Sequence, residues 1–312
     1  MARSFLTVTD IGRDGFLSLL SEAEALKRRS RLTVRRDAPL EGRLLGLLFQ
    51  KPSTRTRVSF EAAVERLGGR ALYLGWSDLQ LGRGETVADT ARVLSRYLDA
   101  IAARVFAHST LVELSRFASI PVINALSDSF HPCQALADML TIKTHKGALD
   151  GVRLAWVGDG NNVCHSLMLS AGLLGLKMRV ATPEGYEPDK AVVERARMLC
   201  ADHGGEVTLT SDPREAVADA DVVYTDVWVS MGQEDEVQKR QQVFAPYQVN
   251  AALMELADKN AIFMHCLPAH RGEEVTDEVI DGRWSVVWEQ AENRMWTQMA
   301  LLLALLEEDG KE

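Results

Sequence analysis

The chain has 312 residues, 46% hydrophobic and 25% charged, with a formal net charge of −9. That length allows one large α/β unit or two domains, and the acidic balance argues against general nucleic-acid binding. No apolar run reaches the ~20 residues of a membrane-spanning helix. The opening stretch MARSFLTVTDIGRDGF lacks both the apolar core of a secretory leader and the acid-poor character of a transit peptide. Four cysteines (Cys133, Cys164, Cys200 and Cys266) stand far apart without a CxxC pair, so neither a zinc site nor a disulfide framework is expected. A reducing, cytoplasmic setting is the expectation.

In chain order, RLLGLLF, ALYLG, AIAARVF and IPVINA read as strands, followed by RLAWVG, MRVAT, EVTLT, DVVYTD and AIFMHCL. Helical patterns lie between them, among them 58–67, 132–145 and 163–174. Continuous apolar strands separated by helices predict parallel sheets covered on both faces. About nine strands exceed the usual four to six of a single sheet, and the polar THKGALDG marks a joint. The expected fold is α/β: two doubly wound parallel-sheet domains with a cleft between them, over 1–146 and 147–291. An amphipathic C-terminal helix is expected over 292–308, with Trp296, Met299, Ala300, Leu303 and Leu306 on its apolar stripe.

Open parallel sheets bind ligands beyond the carboxyl ends of their strands, which singles out a few polar clusters. STRTR (53–57) follows a strand and opens a helix, where unpaired N–H groups and a positive dipole end favour an anion, most simply a phosphate. Ser53 alone could be a mere cap, which would leave Arg55 and Arg57 unexplained. Arg104 sits in an otherwise apolar strand and needs either a carboxylate partner or a bound anion. His131-Pro132 begins a helix with Gln134 in its first turn; a histidine there stays neutral and can donate to a carbonyl oxygen, or simply cap. Asp226 and Cys266 end strands, as ordinary residues also do. GDGNNV (158–163) resembles a dinucleotide fingerprint, with Glu184 where a ribose-binding acid would sit, and offers a nicotinamide-dependent dehydrogenase as the rival class. Val163 stands where the third small residue belongs, and that reading leaves STRTR without a role.

Together, STRTR (53–57), HPCQ (131–134), DVWVSMG (226–232) and HCLPA (265–269) resemble the aspartate/ornithine carbamoyltransferase family, and the last two point to its ornithine branch. The likeness runs over nearly the whole chain. It implies a carbamoyl phosphate domain first, an amino acid domain second, and a last helix packed back on the first. It assigns carbamoyl phosphate to Ser53, Thr54, Arg55, Thr56, Gln80, Arg104, His131, Gln134, Cys266, Leu267 and Arg294. Gln80 would reach over from a neighbouring subunit, which implies a homotrimer, with or without higher assembly. It assigns L-ornithine to Asn162, Asp226, Ser230 and Met231, and gives chemical roles to Arg104, His131, Gln134, Cys266 and Arg294. Arg57 is expected in a structural ion pair.

The implied reaction makes L-citrulline and phosphate from carbamoyl phosphate and L-ornithine. The leaving phosphate can accept the proton, so no metal or cofactor is expected. Donors at the carbamoyl oxygen would stabilise the charge that develops on attack. The charged run 230–242 is expected to close over ornithine, although most such runs are solvated faces. Aspartate, putrescine and N-acetylornithine are the rival amines, and a non-catalytic binding protein is the rival outside enzymes.

Overall fold

The computed structural model describes residues 4–30, 38–229 and 236–306. It divides into two units, Met1–Leu140 with Asn293–Glu312, and Thr141–Glu292. The division falls inside two helices, Pro132–Lys146 and Val287–Leu306, and the expected joint at Lys146 is the last residue of the first.

In unit 1, α1 (Gly12–Ser30) leads to β1 (Leu44–Phe49), α2 (Thr54–Arg66), β2 (Arg70–Gly75), α3 (Val87–Leu94), β3 (Ala100–Arg104), α4 (His108–Phe117), β4 (Val122–Leu126) and α5 (Pro132–Lys146). The four strands form one parallel sheet in the order β2-β1-β3-β4. The inner strands are apolar except for Arg104 at the end of β3: β3 is buried at every position and β1 at all but its first. That is the burial expected of a parallel sheet covered on both faces. β4 lies at the sheet edge, where Phe5 exchanges backbone bonds with Val122 and Asn124 at 2.9 and 2.8 Å and so covers strand groups left open.

In unit 2, β5 (Arg153–Val157), α6 (Asn162–Leu174), β6 (Lys177–Ala181), α7 (Lys190–His203), β7 (Glu206–Thr210), α8 (Pro213–Val217), β8 (Val222–Thr225), α9 (Val237–Phe244), α10 (Ala251–Met254), β9 (Ile262–His265) and α11 (Asp277–Ile280) follow. The sheet order is β7-β6-β5-β8-β9, again all parallel. α6 is buried at every residue from Val163 to Leu174, so it reads as apolar all round rather than amphipathic. Between β5 and β8, Trp156 stacks on Tyr224 at 5.3 Å.

The last helix, α12 (Val287–Leu306), begins at Val287 rather than at residue 292. Its early buried positions are largely polar: Gln290, Asn293, Arg294, Thr297 and Gln298 are all buried. A search for apolar periodicity therefore enters the helix late. Residues 307 and 308 lie outside the described residues. No described helix is long and apolar enough to cross a membrane.

In both sheets the strand order reverses beside a central strand. In unit 1 the reversal lies between β1 and β3, and in unit 2 between β5 and β8. Such switch points open a crevice at the carboxyl ends of the strands. The polar clusters stand at these places.

Candidate functional site

The first cluster belongs to unit 1. Ser53, in the loop after β1, caps α2: its Oγ accepts from the Thr56 backbone N–H at 3.3 Å. The cap sets the positive end of the helix dipole just past the strand, with Thr54 and Arg55 in the first turn. Thr56 is 1% exposed, and its hydroxyl receives Arg294 Nη2 at 3.4 Å. Arg294 Nη1 donates to Gln134 Oε1 at 2.6 Å, and Gln134 Nε2 donates to Asp138 Oδ1 at 2.8 Å. A buried chain of polar groups thus joins α2, α12 and α5. Gln134 presents its carbonyl oxygen to a guanidinium here, so accepting from a carbamoyl nitrogen would mean sharing or exchanging that bond.

Arg104 ends β3, where the register with β4 shifts, and its carbonyl accepts from Gln50 N at 2.8 Å. His131 precedes the first residue of α5 and is buried. Burial, then the Arg294 and Arg104 charges, hold its pKa well below the ordinary 6.5. The imidazole is therefore neutral at physiological pH and able to donate one N–H. The sign of the accompanying stability effect follows. As the pH falls below 6.5 the unfolded chain takes up this proton and the folded chain does not, so stability falls through that window. His131→Asn should flatten the decline of the thermal midpoint below pH 6.5; an undiminished decline in the variant would assign it to other groups.

Two predicted residues stand apart from this chain of bonds. Arg57 pairs with Glu61 at 2.9 Å and lies over the Tyr73 ring at 4.1 Å, the structural role expected of it. Gln80 is exposed at the start of a short 3-10 turn, Gln80–Arg83. No hydrogen bond among the described residues joins its side chain to the cluster.

The second cluster belongs to unit 2. Asp226 follows β8 and is 7% exposed. Its Oδ1 accepts from the Cys266 thiol at 2.9 Å and from Val227 N at 2.8 Å, while Oδ2 accepts from Asn161 Nδ2 at 2.7 Å. Asn161 also caps α6 through Val163 N and Cys164 N, and Asn162 is the first residue of that helix. The family resemblance points to Asn162, whereas Asn161, directly before an apolar run, carries the N-cap signal. Ser230 and Met231 lie outside the described residues.

Cys266 and Leu267 form the turn after β9. Leu267 has φ 59°, a left-handed conformation that costs a non-glycine residue about 1–3 kcal/mol. Its N–H donates to His265 Nδ1 at 2.8 Å, so the imidazole proton sits on Nε2, which meets Glu274 Oε1 at 3.0 Å. Neither side chain of this pair is exposed. Glu274 Oε1 also accepts from His270 N at 2.6 Å. A buried imidazole and carboxylate thus hold the backbone of the turn that presents the Cys266 thiol. The other three cysteines are buried; burial pushes the Cys133 thiol up to about 12 and the Cys164 thiol well above its ordinary value.

The GDGNNV loop has a structural reason for its glycines. Gly158 has φ 140°, and a Cβ on Gly160 would lie 2.3 Å from Pro188 N. Gly160 N donates to the Tyr186 carbonyl at 2.9 Å, and Glu184 is exposed. The close approach is to this chain's own 186–188 segment, which removes the argument for a pyrophosphate cradle and with it the dehydrogenase reading.

Among the described residues, two groups offer donors for a metal ion, Asp226 with His265 and Cys266, and His270 with Glu273 and Glu274. Both His265 ring nitrogens are already engaged, which weakens the first group as a resident metal site.

Known proteins agree with this division. The family model described as the aspartate/ornithine carbamoyltransferase carbamoyl-P binding domain matches residues 3–144, and the one for the Asp/Orn binding domain matches 150–305. An ornithine carbamoyltransferase of Pyrococcus horikoshii is 61% identical over 267 residues, covering 86% of this chain and 84% of that protein. One from Anoxybacillus flavithermus is 55% identical over 304 residues, covering 97% and 96%. A solved ornithine carbamoyltransferase from Pyrococcus furiosus superposes with a TM-score of 0.95 at 54% identity, over 98% of this chain and 97% of that one. Both halves of the chain, and nearly all of its length, therefore place it in the aspartate/ornithine carbamoyltransferase family.

Proposed function

We propose that the protein transfers the carbamoyl group of carbamoyl phosphate to the side-chain amine of L-ornithine, giving L-citrulline and phosphate. The observation that carries the choice of amine is the buried Asp226 carboxylate joined to the Cys266 thiol at 2.9 Å. That pairing suits an amino acid's amine groups, whereas aspartate would need basic groups for its second carboxylate. The high identity to relatives named ornithine carbamoyltransferase supports the same choice.

In this reading the N-terminus of α2, with Ser53, Thr54, Arg55 and Thr56, holds the phosphate beside Arg104 and Arg294. Neutral His131 and Arg104 donate to the carbamoyl oxygen, and Gln134 faces the carbamoyl nitrogen. Asn162 takes the α-carboxylate of ornithine and Asp226 its α-ammonium; Ser230 and Met231 extend that pocket. The side-chain ammonium first loses a proton to solvent, because only the free amine has a lone pair. Cys266 and the Leu267 carbonyl orient that amine. The new C–N bond forms as charge collects on the carbamoyl oxygen, the C–O bond to phosphate breaks, and the departing phosphate takes the second amine proton. The balance calls for no redox step and no co-reactant.

The protein works as a homotrimer in the cytoplasm, with Gln80 completing a neighbour's carbamoyl phosphate site. Its exposure in the single chain, together with four cysteines outside any disulfide, supports this.

A colorimetric citrulline assay with ornithine, and parallel carbamoylation of aspartate, putrescine and N-acetylornithine, tests the reaction. Ornithine well ahead of the others is expected; activity confined to another amine would overturn the roles of Asn162 and Asp226 while keeping the phosphate site.

A further inference from the structure

Arg240 lies in a run, EDEVQKRQQ, whose composition reads as a solvated face, yet it is only 6% exposed. Its Nη1 donates to Asp159 Oδ2 at 2.9 Å and to the Trp228 carbonyl at 2.9 Å, and its Nε donates to Glu236 Oε2 at 2.9 Å. The Tyr186 and Phe244 rings flank the guanidinium at 4.9 and 5.8 Å. Asp159 is itself buried, and burial pushes its pKa up against the opposing Arg240 charge. Burying this pair is costly, so its value lies in what it holds in place.

What it holds is specific. Asp159 belongs to the loop after β5 and Trp228 to the loop after β8, the two strands at the switch point of the unit 2 sheet. The same two loops are tied a second time, by Asn161 Nδ2 to Asp226 Oδ2 at 2.7 Å. Asn162 follows the first loop and Asp226 begins the second. Two crosslinks fix their separation more tightly than one, because a single bond leaves the loops free to pivot about it.

We infer that Arg240 is a positioning residue for the amino acid substrate: by crosslinking Asp159 to the Trp228 carbonyl it holds Asn162 and Asp226 at the spacing that an α-amino acid head group spans. The inference rests on the reading above that these two residues take the α-carboxylate and α-ammonium. It makes the selectivity for a complete head group depend on a residue that need not touch the substrate. A lysine cannot replace it, since an ammonium lacks the planar fork that serves several acceptors in fixed directions.

The test compares inhibition by L-norvaline, which has the head group without the side-chain amine, and by putrescine, which has amines without the carboxylate. Both are measured against ornithine in the wild type, Arg240→Met, Arg240→Lys and Asp159→Asn, using full-length protein. A displacement of about 1 Å in a positioning group can cost about 100-fold. L-Norvaline should therefore inhibit Arg240→Met at least about ten-fold more weakly, and the ornithine KM should rise in step. The putrescine inhibition constant and the carbamoyl phosphate KM should stay within about two-fold. Arg240→Lys should not restore L-norvaline binding. If Arg240→Met does not fold, Asp159→Asn keeps the size of the side chain and removes the same ion pair, and should show the same selective loss. Parallel weakening of L-norvaline and putrescine, or unchanged L-norvaline inhibition in a folded variant, would overturn the inference and leave Arg240 a stabilising residue. A wild type that makes no citrulline would instead overturn the proposed reaction.

Discussion

Arg104→Ala is expected to lower kcat by about 100- to 1,000-fold, the usual cost of removing one preorganised donor from a developing oxyanion. The variant should nevertheless fold. Arg104 and Arg294 both depress the pKa of His131, which means two cations and an imidazole share one buried neighbourhood of unit 1. Two like charges beside one imidazole oppose each other, so deleting one guanidinium should leave the unliganded variant melting within a few degrees of the wild type. It should also lose most of the stabilisation that added carbamoyl phosphate gives the wild type, since a ligand stabilises only the fold that binds it. A large loss of unliganded stability with near-normal turnover would mean that Arg104 is structural.

Asp226→Asn should act on the other substrate. The substitution keeps the shape of the side chain but removes the charge, and one of its two acceptor positions becomes a donor. Asn161 Nδ2, Val227 N and the Cys266 thiol all currently donate to this carboxylate. Truncating one partner of a buried, hydrogen-bonded charge pair costs about 2–5 kcal/mol, or at least about 30-fold in kcat/KM for ornithine. The dissociation constant for carbamoyl phosphate, measured by calorimetry, should be unchanged. Equal losses for both substrates would contradict the separation of roles between the two units.

Much of this was legible in the residues. All nine described strands fell on runs read from the sequence: the inner ones stand out as continuous apolar runs because both faces are covered, whereas the edge strands β2 and β7 are largely exposed and carry a weaker signal. The helix starts at Thr54 and Pro132 were readable from a serine cap and a proline, while the Asn161 cap of the helix at Asn162 was not used. The clusters were found because one rule, ligands beyond the carboxyl ends of parallel strands, directs attention to STRTR, Arg104, HPCQ, Asp226 and Cys266 alike.

What escaped has a common cause: polar residues that are buried because other polar residues satisfy them. Arg240 lies within a charged run, and nothing local signals that Asp159, 81 positions away in sequence, will meet it. Glu274 looks like an ordinary acid in RGEEV, yet it is fully buried against His265. Gln290 sits in a turn that apolar periodicity discards, although it receives His265 N at 3.0 Å and reaches Tyr224 Oη at 3.0 Å. Such pairings arise from tertiary structure alone. They are also the contacts that hold the Cys266 turn and the Asp226 loop.

The most direct test of the account follows the carbamoyl carbon itself. Carbamoyl phosphate labelled with carbon-13 is mixed with L-ornithine and the purified protein, and carbon and phosphorus NMR record both fates together. The label should pass to the ureido carbon of citrulline as one equivalent of inorganic phosphate appears, at a rate far above spontaneous decomposition and lowered about 100- to 1,000-fold by Arg104→Ala. Label that reaches only cyanate or carbonate, at the rate seen without protein, would contradict carbamoyl transfer as this protein's chemistry.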